Sequence, residues 1–322
     1  MNLKSNCSDN YKKDMSVYEL IKWGEARLKN ESILNPFNES ACIMKHVLRK
    51  TLEEIIVSYN DKIAGSKINL FEKLIERRSK REPFAYIANK KEFYSLDFFV
   101  GKSVLIPRPD TECLVDEALK EIKRLSGGLK RKISILDIGT GSGAIAISIA
   151  KNSDNVIIYA ADNSIRSLNA AKKNIIANGV REKVVPVYFD IIKLKSYAPA
   201  FINPVLDFNM ADFDNFDIII SNPPYIESGE LKELDDDIKL YEPVNALNGG
   251  RDGLKFYRKI FDYAVLKTNK TKTLILEIDY RKKSEIYSLF NEKFKNKNIK
   301  FKNLTFINDL NNKERAVKIT YG

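Results

Sequence analysis

The chain has 322 residues, a hydrophobic fraction of 44%, a charged fraction of 30% and a formal net charge of +11. This length predicts about two domains at roughly 150 residues each, and the composition is that of a globular protein rather than a disordered one. The most apolar stretch, 133–150, is interrupted by Asp137, Thr140, Ser142 and three glycines. It therefore falls short of the ~18 consecutive apolar residues that span a bilayer, and we expect no membrane protein.

The side chains available for catalysis limit the type of reaction. The chain has one histidine, His46, and three cysteines, Cys7, Cys42 and Cys113, none of them in a Cys-x-x-Cys pair. A Ser/His/Asp triad or a multi-histidine metal site needs side chains that this sequence lacks, and the scattered cysteines fit neither a disulfide framework nor a thiolate zinc site. We therefore expect no bound metal and few of the common hydrolase mechanisms.

The two ends of the chain carry the net charge. It is +4 for residues 1–82, zero for 83–280 and +7 for 281–322. Lysines scattered among Asn and Glu are typical of a solvated surface, and no arginine-rich stripe favours nucleic acid, so stable nucleic-acid binding is not expected. Residues 1–30 lack the apolar block of a secretory signal, which predicts a cytoplasmic protein. We expect a monomer.

The first part of the chain has the pattern of a small helical domain. Between residues 15 and 78 apolar side chains recur at helical spacing, and polar breaks near 35–38 and 61–66 divide them into several short helices. Residues 86–104 are enriched in aromatic and β-branched types, which predicts one or two strands, arranged as a hairpin. We therefore predict a helical domain at 1–82 and a β-hairpin linker at 83–109.

The remainder, 110–322, alternates between predicted strands and helices. The strands are short apolar runs at 133–138, 156–161, 184–188, 216–221 and 273–278, and the helices are 111–125, 144–151, 165–178 and 254–266. This alternation predicts an α/β fold with a mostly parallel sheet covered by helices on both faces. Two final runs, 300–307 and 316–321, have no helix between them and should pair antiparallel. Residues 197–214 have the composition of an insertion.

A glycine-rich turn follows the first of these strands. The run Gly139–Gly143 has glycine at every second position, where the strand passes into a helix. Glycine permits positive φ angles and lets a ligand approach the backbone closely. The turn could instead be a tight connection that binds nothing. Its spacing differs from that of the pyrophosphate fingerprint and favours a ligand without a pyrophosphate.

An acidic residue, Asp162, ends the next strand. At this place a carboxylate can accept hydrogen bonds from both ribose hydroxyls of a nucleoside. The alternative is that Asp162 caps the helix that follows.

The fourth strand ends in Ser221-Asn222-Pro223-Pro224-Tyr225. Two consecutive prolines remove two backbone N–H donors, so their carbonyls have no local competition. The asparagine oxygen and the Pro223 carbonyl can therefore both accept from one planar NH2 group, and Tyr225 can stack on the acceptor. A Pro-Pro turn that merely ends a strand is the structural alternative.

The run Asp137–Gly143 resembles motif I of the class I S-adenosylmethionine methyltransferases. This resemblance implies a seven-stranded sheet with an antiparallel final hairpin, S-adenosylmethionine as methyl donor and S-adenosylhomocysteine as product. It also implies that Asp190 and the Ile191 backbone lie near the adenine. The candidate cofactor-binding residues are Asp137, Gly139, Thr140, Gly141, Ser142, Gly143, Asp162, Asp190, Ile191 and Asn222.

The Asn222–Tyr225 run is similar to the Asn/Asp-Pro-Pro-Tyr motif of methyltransferases that act on exocyclic or amide nitrogens. Adenine N6 and the glutamine side-chain nitrogen both present a planar NH2 group, so these four residues alone leave an N6-adenine methyltransferase and a glutamine methyltransferase open. The absence of a separate basic recognition region in the neutral central segment disfavours the adenine enzyme. A non-catalytic nucleotide-binding module of the same fold is a third possibility, which the complete motif disfavours.

Further segments resemble the release factor glutamine methyltransferases, the HemK/PrmC family. They are Glu82–Ile87, Phe93–Leu96, Leu105–Glu112, Tyr241–Pro243, Gly249–Leu254 and Leu276–Ile278. The related ribosomal-protein glutamine methyltransferases share the Asn-Pro-Pro-Tyr motif but usually lack Pro-Arg-Pro-Asp-Thr-Glu, which is present here at 107–112. The resemblance therefore favours the release factor branch.

This family resemblance implies methylation of the glutamine N5 atom in the Gly-Gly-Gln motif of peptide chain release factors, with the helical domain helping to dock the protein substrate. It implies Asn222, Pro223 and Tyr225 as catalytic residues. The implied substrate-binding residues are Asn222, Pro223, Pro224, Tyr225, Arg108 and Glu112. Taken without the family, Asp110 or Thr111 is an ordinary helix cap and Arg108 a solvated charge.

Overall fold

The computed structural model describes residues 15–128, 131–197, 216–267, 271–294, 301–309 and 311–321. They form two compact units. The first comprises the described residues up to Lys90 together with Asp235–Tyr241, and the second comprises Lys91–Leu234 and the described residues from Glu242 onward.

The first unit is helical. Its helices are α1 (Val17–Asn30), α2 (Pro36–Leu48), α3 (Leu52–Val57), α4 (Gly65–Ser79) and α5 (Phe84–Ala88). Helices α1 and α3 begin with capping boxes, in which Ser16 pairs with Glu19 and Thr51 with Glu54, so backbone N–H groups at both helix starts are satisfied. The apolar faces predicted from periodicity form one core around Leu20, Ile43 and Phe71.

The region predicted as a hairpin linker differs from that prediction in its first residues. Tyr86 and Ile87 lie in helix α5 and are buried, although their residue types favour strands. Burial against a core decides the conformation here, because intrinsic strand preference is weak compared with packing. The hairpin itself consists of β1 (Lys91–Phe93) and β2 (Leu96–Phe98), which pair antiparallel in the second unit.

The second unit is built on a large twisted sheet. In chain order its further strands are β3 (Ile133–Ile138), β4 (Val156–Asp162), β5 (Val184–Asp190), β6 (Lys195–Tyr197), β7 (Ile218–Ser221), β8 (Ile226–Glu227), β9 (Asn248–Gly250), β10 (Thr273–Glu277), β11 (Phe301–Asn308) and β12 (Glu314–Tyr321). The sheet order is β11-β12-β10-β7-β3-β4-β5-β6, and β8 pairs separately with β9. Strands β5, β4, β3, β7 and β10 are parallel, whereas β12 and β11 are antiparallel additions.

The predicted seven-stranded sheet with an antiparallel final hairpin is therefore confirmed. The short β6, antiparallel to β5, adds an eighth strand among the described residues. The predicted insertion 197–214 starts at the last residue of β6 and otherwise lies outside the described residues.

Helices cover the sheet: α6 (Glu112–Ser126), α7 (Ala144–Lys151), α8 (Ile165–Ala177), α10 (Lys255–Leu266) and α11 (Lys283–Lys293), while α9 (Asp236–Lys239) belongs to the first unit. Strand β3 pairs with β4 on one side and with β7 on the other. The strands that follow β3 in the chain, β4 and β5, lie on one side of it, whereas β7 and β10 lie on the other side. The order of the strands therefore reverses between β3 and β7. In open α/β sheets, ligands bind beyond the carboxyl ends of the strands at such a switch point.

Candidate active site

The glycine-rich turn leaves β3 at its carboxyl end. The N–H groups of Gly139 and Thr140 both donate to the Ala161 carbonyl, at 2.8 and 2.9 Å, and this fixes the turn to the end of β4. Gly139 and Gly141 have φ angles of +74° and +57°, in the left-handed region that only glycine adopts readily. A β-carbon on Gly139 would meet no atom within 4 Å, so the turn borders open space.

Asp137 supports this turn from within the protein. It is fully buried, and its Oδ2 atom accepts a hydrogen bond of 2.6 Å from the Thr140 hydroxyl. Burial raises the pKa of Asp137 to about 7, with the Thr140 hydroxyl and the Ala146 N–H acting in the opposite direction. The structure therefore gives Asp137 and Thr140 a direct role in holding the turn.

Asp162 lies beside the same turn. Its Oδ2 accepts from the Gly141 N–H at 3.0 Å, and its Oδ1 accepts from the Ser164 N–H at 2.9 Å. Ser164, not Asp162, is the N-cap of α8, so the alternative interpretation of Asp162 as the helix cap is wrong. Burial raises the pKa of Asp162 to about 6. Each carboxylate oxygen can accept more than one hydrogen bond, which leaves capacity for ligand hydroxyls.

A buried asparagine that the sequence analysis did not single out holds the turn from the other side. Asn174 of α8 donates from Nδ2 to the Ser142 carbonyl at 2.8 Å and to the Phe99 carbonyl at 3.0 Å, while its Oδ1 accepts from the Phe99 N–H. It thereby ties the glycine-rich turn to the segment after β2. A single asparagine in an amphipathic helix gave no sequence signal for this role.

The structure brings Asp190 and Ile191 to the end of β5, separated from β3 by β4. The Asp190 Oδ1 accepts from the N–H groups of Ile192 and Lys193, at 2.9 and 3.2 Å, so this carboxylate closes its own turn. Ile191 is buried. Both residues share the carboxyl edge of the sheet with Asp162, and their contact with an adenine stays a prediction.

The Asn222–Tyr225 run, here called the acceptor loop, starts next to the glycine-rich turn. Ser221 is aligned with Ile138 in the β3–β7 pairing, and its hydroxyl donates to the Ile138 carbonyl at 2.6 Å. Asn222 and Gly139 directly follow these two aligned residues in their strands, so they lie about one strand spacing, ~4.8 Å, apart. Asn222 is partly exposed, whereas Pro223 is buried. The two motifs singled out from sequence therefore start side by side.

A network of hydrogen bonds fixes the acceptor loop from behind. The Asn222 Nδ2 donates to the Thr111 hydroxyl at 3.1 Å, and that hydroxyl donates to the Glu277 Oε2 at 2.6 Å. The Tyr225 hydroxyl donates to the other carboxylate oxygen, Oε1, at 3.3 Å. Burial raises the pKa of Glu277 to about 7 and also raises the pKa of Tyr225.

Sequence reasoning gave Thr111 and Glu277 no individual role, although both lie in segments that resemble the family. Thr111 is the N-cap residue of α6, as one interpretation predicted, but its side chain caps no backbone group of that helix and bonds to Glu277 instead. A usable signal existed for Glu277, because a carboxylate in the last position of a buried parallel strand must lie at the ligand edge of the sheet. No signal in the sequence joined it to Thr111.

The remaining predicted substrate residues form contacts of their own. Arg108 is not a solvated charge, because its guanidinium pairs with the buried carboxylate of Glu242 at 2.5 Å. The Glu112 Oε1 accepts from the Tyr94 N–H at 2.8 Å and so anchors the β1–β2 turn. Asp110 pairs with Arg315 at 2.8 Å. Substrate binding by Arg108 and Glu112 stays a prediction.

The described residues contain no candidate metal centre. Among them, no group of three His, Cys, Asp or Glu residues could hold a metal ion. Cys42 and Cys113 are free thiols, and Cys7 lies outside the described residues. No described helix is both long enough and apolar enough to cross a membrane.

Comparison with known proteins agrees with this geometry. Residues 19–88 match the PrmC N-terminal domain and residues 118–236 the methyltransferase small domain. The release factor glutamine methyltransferase of Clostridium botulinum is 33% identical over 94% of this chain and 99% of its own length. The chain belongs to the release factor glutamine methyltransferase family.

Some of the similar proteins are longer than this chain. The bifunctional methyltransferase of Rickettsia conorii is 31% identical over 85% of this chain, but the match covers 53% of the Rickettsia protein. The chain thus spans about half the length of that curated relative. Among solved structures, the hMettl16 catalytic domain bound to a MAT2A 3'UTR hairpin has a TM-score of 0.51 at 14% identity, covering 77% of this chain and 81% of its own. That likeness concerns the fold alone.

Proposed function

We propose that this member of the release factor glutamine methyltransferase family transfers one methyl group from S-adenosylmethionine to the side-chain nitrogen of the glutamine in a Gly-Gly-Gln motif of peptide chain release factors. The observation that carries the proposal is the orientation of Asn222. Its NH2 group donates to Thr111, which leaves its oxygen available to accept from a substrate NH2 group. This carboxamide lies beside the turn proposed to hold the cofactor.

The residues around Gly139 and Asp162 fit S-adenosylmethionine. The open space at Gly139 gives room for a ligand against the backbone, and Asp162 retains acceptor capacity for two ribose hydroxyls. In this proposal Gly139–Gly143 and Asp162 hold the cofactor, with Asp190 and the Ile191 backbone near the adenine. When bound, S-adenosylmethionine supplies a methyl group activated by a positively charged sulfur.

The acceptor loop supplies orientation. An amide nitrogen is a weak nucleophile because its lone pair is delocalised, so alignment with the methyl carbon is the main contribution that a protein can make. The Asn222 oxygen and the Pro223 carbonyl accept the two N–H groups of the glutamine, and Tyr225 packs against its plane. The new N–C bond forms as the C–S bond breaks, S-adenosylhomocysteine leaves, and the nitrogen then loses one proton to water.

The proposal extends to the surroundings of the reaction. We assign residues 1–82 to docking of the release factor, 83–109 to the linker and 110–322 to methyl transfer. We further propose that the protein is a monomer, acts in the cytoplasm and does not bind nucleic acid stably. The scattered distribution of lysine supports the last point.

A transfer assay with four acceptors tests the function. The protein is incubated with methyl-labelled S-adenosylmethionine and a release factor, the same factor with glutamine of Gly-Gly-Gln replaced by glutamate, ribosomal proteins, or duplex DNA. We expect label in the intact factor only, with the modified glutamine identified by mass spectrometry. Label in DNA would support the adenine enzyme, and label in ribosomal proteins alone would support the other glutamine branch; either result would contradict the proposal.

A further inference from the structure

Three elements that are distant in sequence meet behind Asn222. Thr111 immediately precedes α6, Asn222 follows β7 and Glu277 is the last residue of β10. Thr111 and Glu277 are 5% and 1% exposed, so solvent does not compete for their hydrogen bonds. A single hydroxyl, that of Thr111, connects the carboxylate to the carboxamide.

The chemistry of these groups fixes the direction of each hydrogen bond. Above about pH 7 the Glu277 carboxylate is ionised and only accepts, so the one proton of the Thr111 hydroxyl is directed to Glu277. The hydroxyl then presents only lone pairs to Asn222, and only the NH2 end of the carboxamide can face it. The oxygen end is turned to the opposite side.

The carboxylate itself is held firmly. The Tyr225 hydroxyl donates to its second oxygen, and the Tyr257 hydroxyl donates to the Glu277 carbonyl at 2.8 Å. Next to Thr111, Asp110 pairs with Arg315, which also pairs with Asp309 at 3.2 Å. Glu277, which accepts from the Thr111 hydroxyl, and Asp110, which precedes Thr111 in the chain, are therefore both held by contacts with other segments. The hydroxyl that accepts from the Asn222 carboxamide is thus fixed in position.

We propose that Thr111 and Glu277 are positioning residues that fix the carboxamide of Asn222 with its oxygen toward the acceptor. The inference rests on the proposed function and deepens it. With the oxygen outward, the loop presents two acceptors, the Asn222 oxygen and the Pro223 carbonyl, to one nitrogen that carries two protons. With the carboxamide reversed, an NH2 group would face the substrate NH2 group, and the glutamine would lose one of its two partners.

Replacement of Thr111 tests this inference. Thr111→Val keeps the shape of the side chain and removes the hydroxyl, whereas Thr111→Ser keeps the hydroxyl. At saturating release factor we expect Thr111→Val to lower kcat by about 10- to 100-fold, because a misoriented acceptor costs rate of this order. We expect Thr111→Ser to retain kcat within about threefold of the wild type, since the orienting bond is preserved. Cofactor affinity by calorimetry should stay close to wild type in both variants. Thr111→Val should lower the melting temperature, because it leaves the buried Glu277 carboxylate without its hydroxyl partner, so kcat is compared at a temperature where both variants are folded.

A second measurement does not depend on turnover. In protein labelled with 15N-asparagine, the side-chain NH2 signals of Asn222, assigned by their loss in Asn222→Ala, report its hydrogen bond. They should shift in Thr111→Val and remain in place in Thr111→Ser. Unchanged kcat in Thr111→Val, equal loss in the Val and Ser variants, or unshifted signals would overturn the inference. If the wild-type protein methylates no release factor, the proposed function fails, while the NMR comparison still tests the orientation.

Discussion

Gly249 packs directly against the backbone of Tyr225. A β-carbon at position 249 would lie 2.7 Å from the Tyr225 Cα and 2.8 Å from the Pro224 carbonyl oxygen. Strand β9, which contains Gly249, pairs with β8 immediately after the acceptor loop, and the Ile226 N–H donates to the Leu247 carbonyl at 3.0 Å. The position of the acceptor loop thus depends on a close approach that only glycine allows.

Gly249→Ala should therefore displace the acceptor loop. Because no flexible side-chain end is available to yield, the backbone of Pro224 and Tyr225 must move, and we expect kcat for methyl transfer to fall by about tenfold or more. Cofactor affinity should change little. Gly229→Ala is the matched control, because a β-carbon there meets no atom within 4 Å. Equal kcat in the two variants would show that the contact does not position the loop.

Asn222→Ala should abolish measurable methyl transfer, since it removes the proposed acceptor of the substrate NH2 group. The cofactor dissociation constant should remain within a few-fold of wild type. Calorimetry and the labelled-methyl assay measure the two quantities separately. Asn152→Ala, at an exposed asparagine at the end of α7, serves as the control. A parallel loss of binding and turnover in Asn222→Ala would mean that its role lies with the cofactor.

Asp162→Ala should weaken cofactor binding. It removes acceptors for the ribose hydroxyls and leaves the Gly141 N–H without its partner, so we expect the dissociation constant to rise by roughly 10- to 100-fold. Isothermal titration with S-adenosylhomocysteine measures it. Asp154→Ala removes an exposed carboxylate paired with Lys183 and should have little effect. Unchanged affinity in Asp162→Ala would place the ribose elsewhere.

Glu277 makes stability depend on pH. Burial raises its pKa to about 7 from the ordinary 4.5, while the Thr111 hydroxyl and the Arg315 charge act in the opposite direction. Between these two values the native state keeps a proton that the unfolded state has lost, so the contribution of Glu277 to the free energy of unfolding falls as pH rises and is constant above about 7.

Glu277→Gln does not titrate and provides the comparison. From pH 5 to pH 8 the difference in the free energy of unfolding should shift in favour of the variant by roughly 2 kcal/mol. Urea unfolding of both proteins at the two pH values measures this shift, and the other carboxylates cancel because both proteins contain them. A difference that does not change with pH would contradict the raised pKa.

Asp237 holds residues 235–241 in the first unit. It pairs at 2.8 Å with Arg78, whose side chain is 7% exposed and also pairs with Glu39, and the Tyr241 hydroxyl donates to the Lys80 carbonyl at 2.6 Å. Asp237→Ala leaves this buried guanidinium with one partner fewer. We expect faster amide hydrogen exchange across 235–241 and a loss of about 1–3 kcal/mol in unfolding free energy.

The neighbouring Asp236 provides the control for this change. It is half-exposed and pairs with Lys239 on the surface, where an ion pair contributes little, so Asp236→Ala should leave the stability nearly unchanged. Similar exchange rates over 235–241 in both variants would show that the Arg78 contact does not anchor the segment.

The positions of the main strands along the chain and the two loops of the candidate site could be predicted from the sequence because their signals are local. Buried parallel strands are short apolar runs, and the turn at Gly139–Gly143 needs glycine whatever surrounds it. Helix α5 could not be predicted in this way, since Tyr86 and Ile87 have strand-type side chains and adopt a helix against the core. Arg108 pairs with Glu242, 134 positions further along the chain, and neither segment contains a sequence signal for this contact.

The sequence by itself determined which residues are candidates for the chemistry, because the glycine turn and the Asn-Pro-Pro-Tyr run owe their properties to bonds and φ angles within a few residues. Only the tertiary structure decided which end of the Asn222 carboxamide faces outward. That choice depends on Thr111 and Glu277, which the sheet brings to one point from distant parts of the chain. A hydrogen bond between such residues follows from their position in space, and spacing along the chain does not encode it.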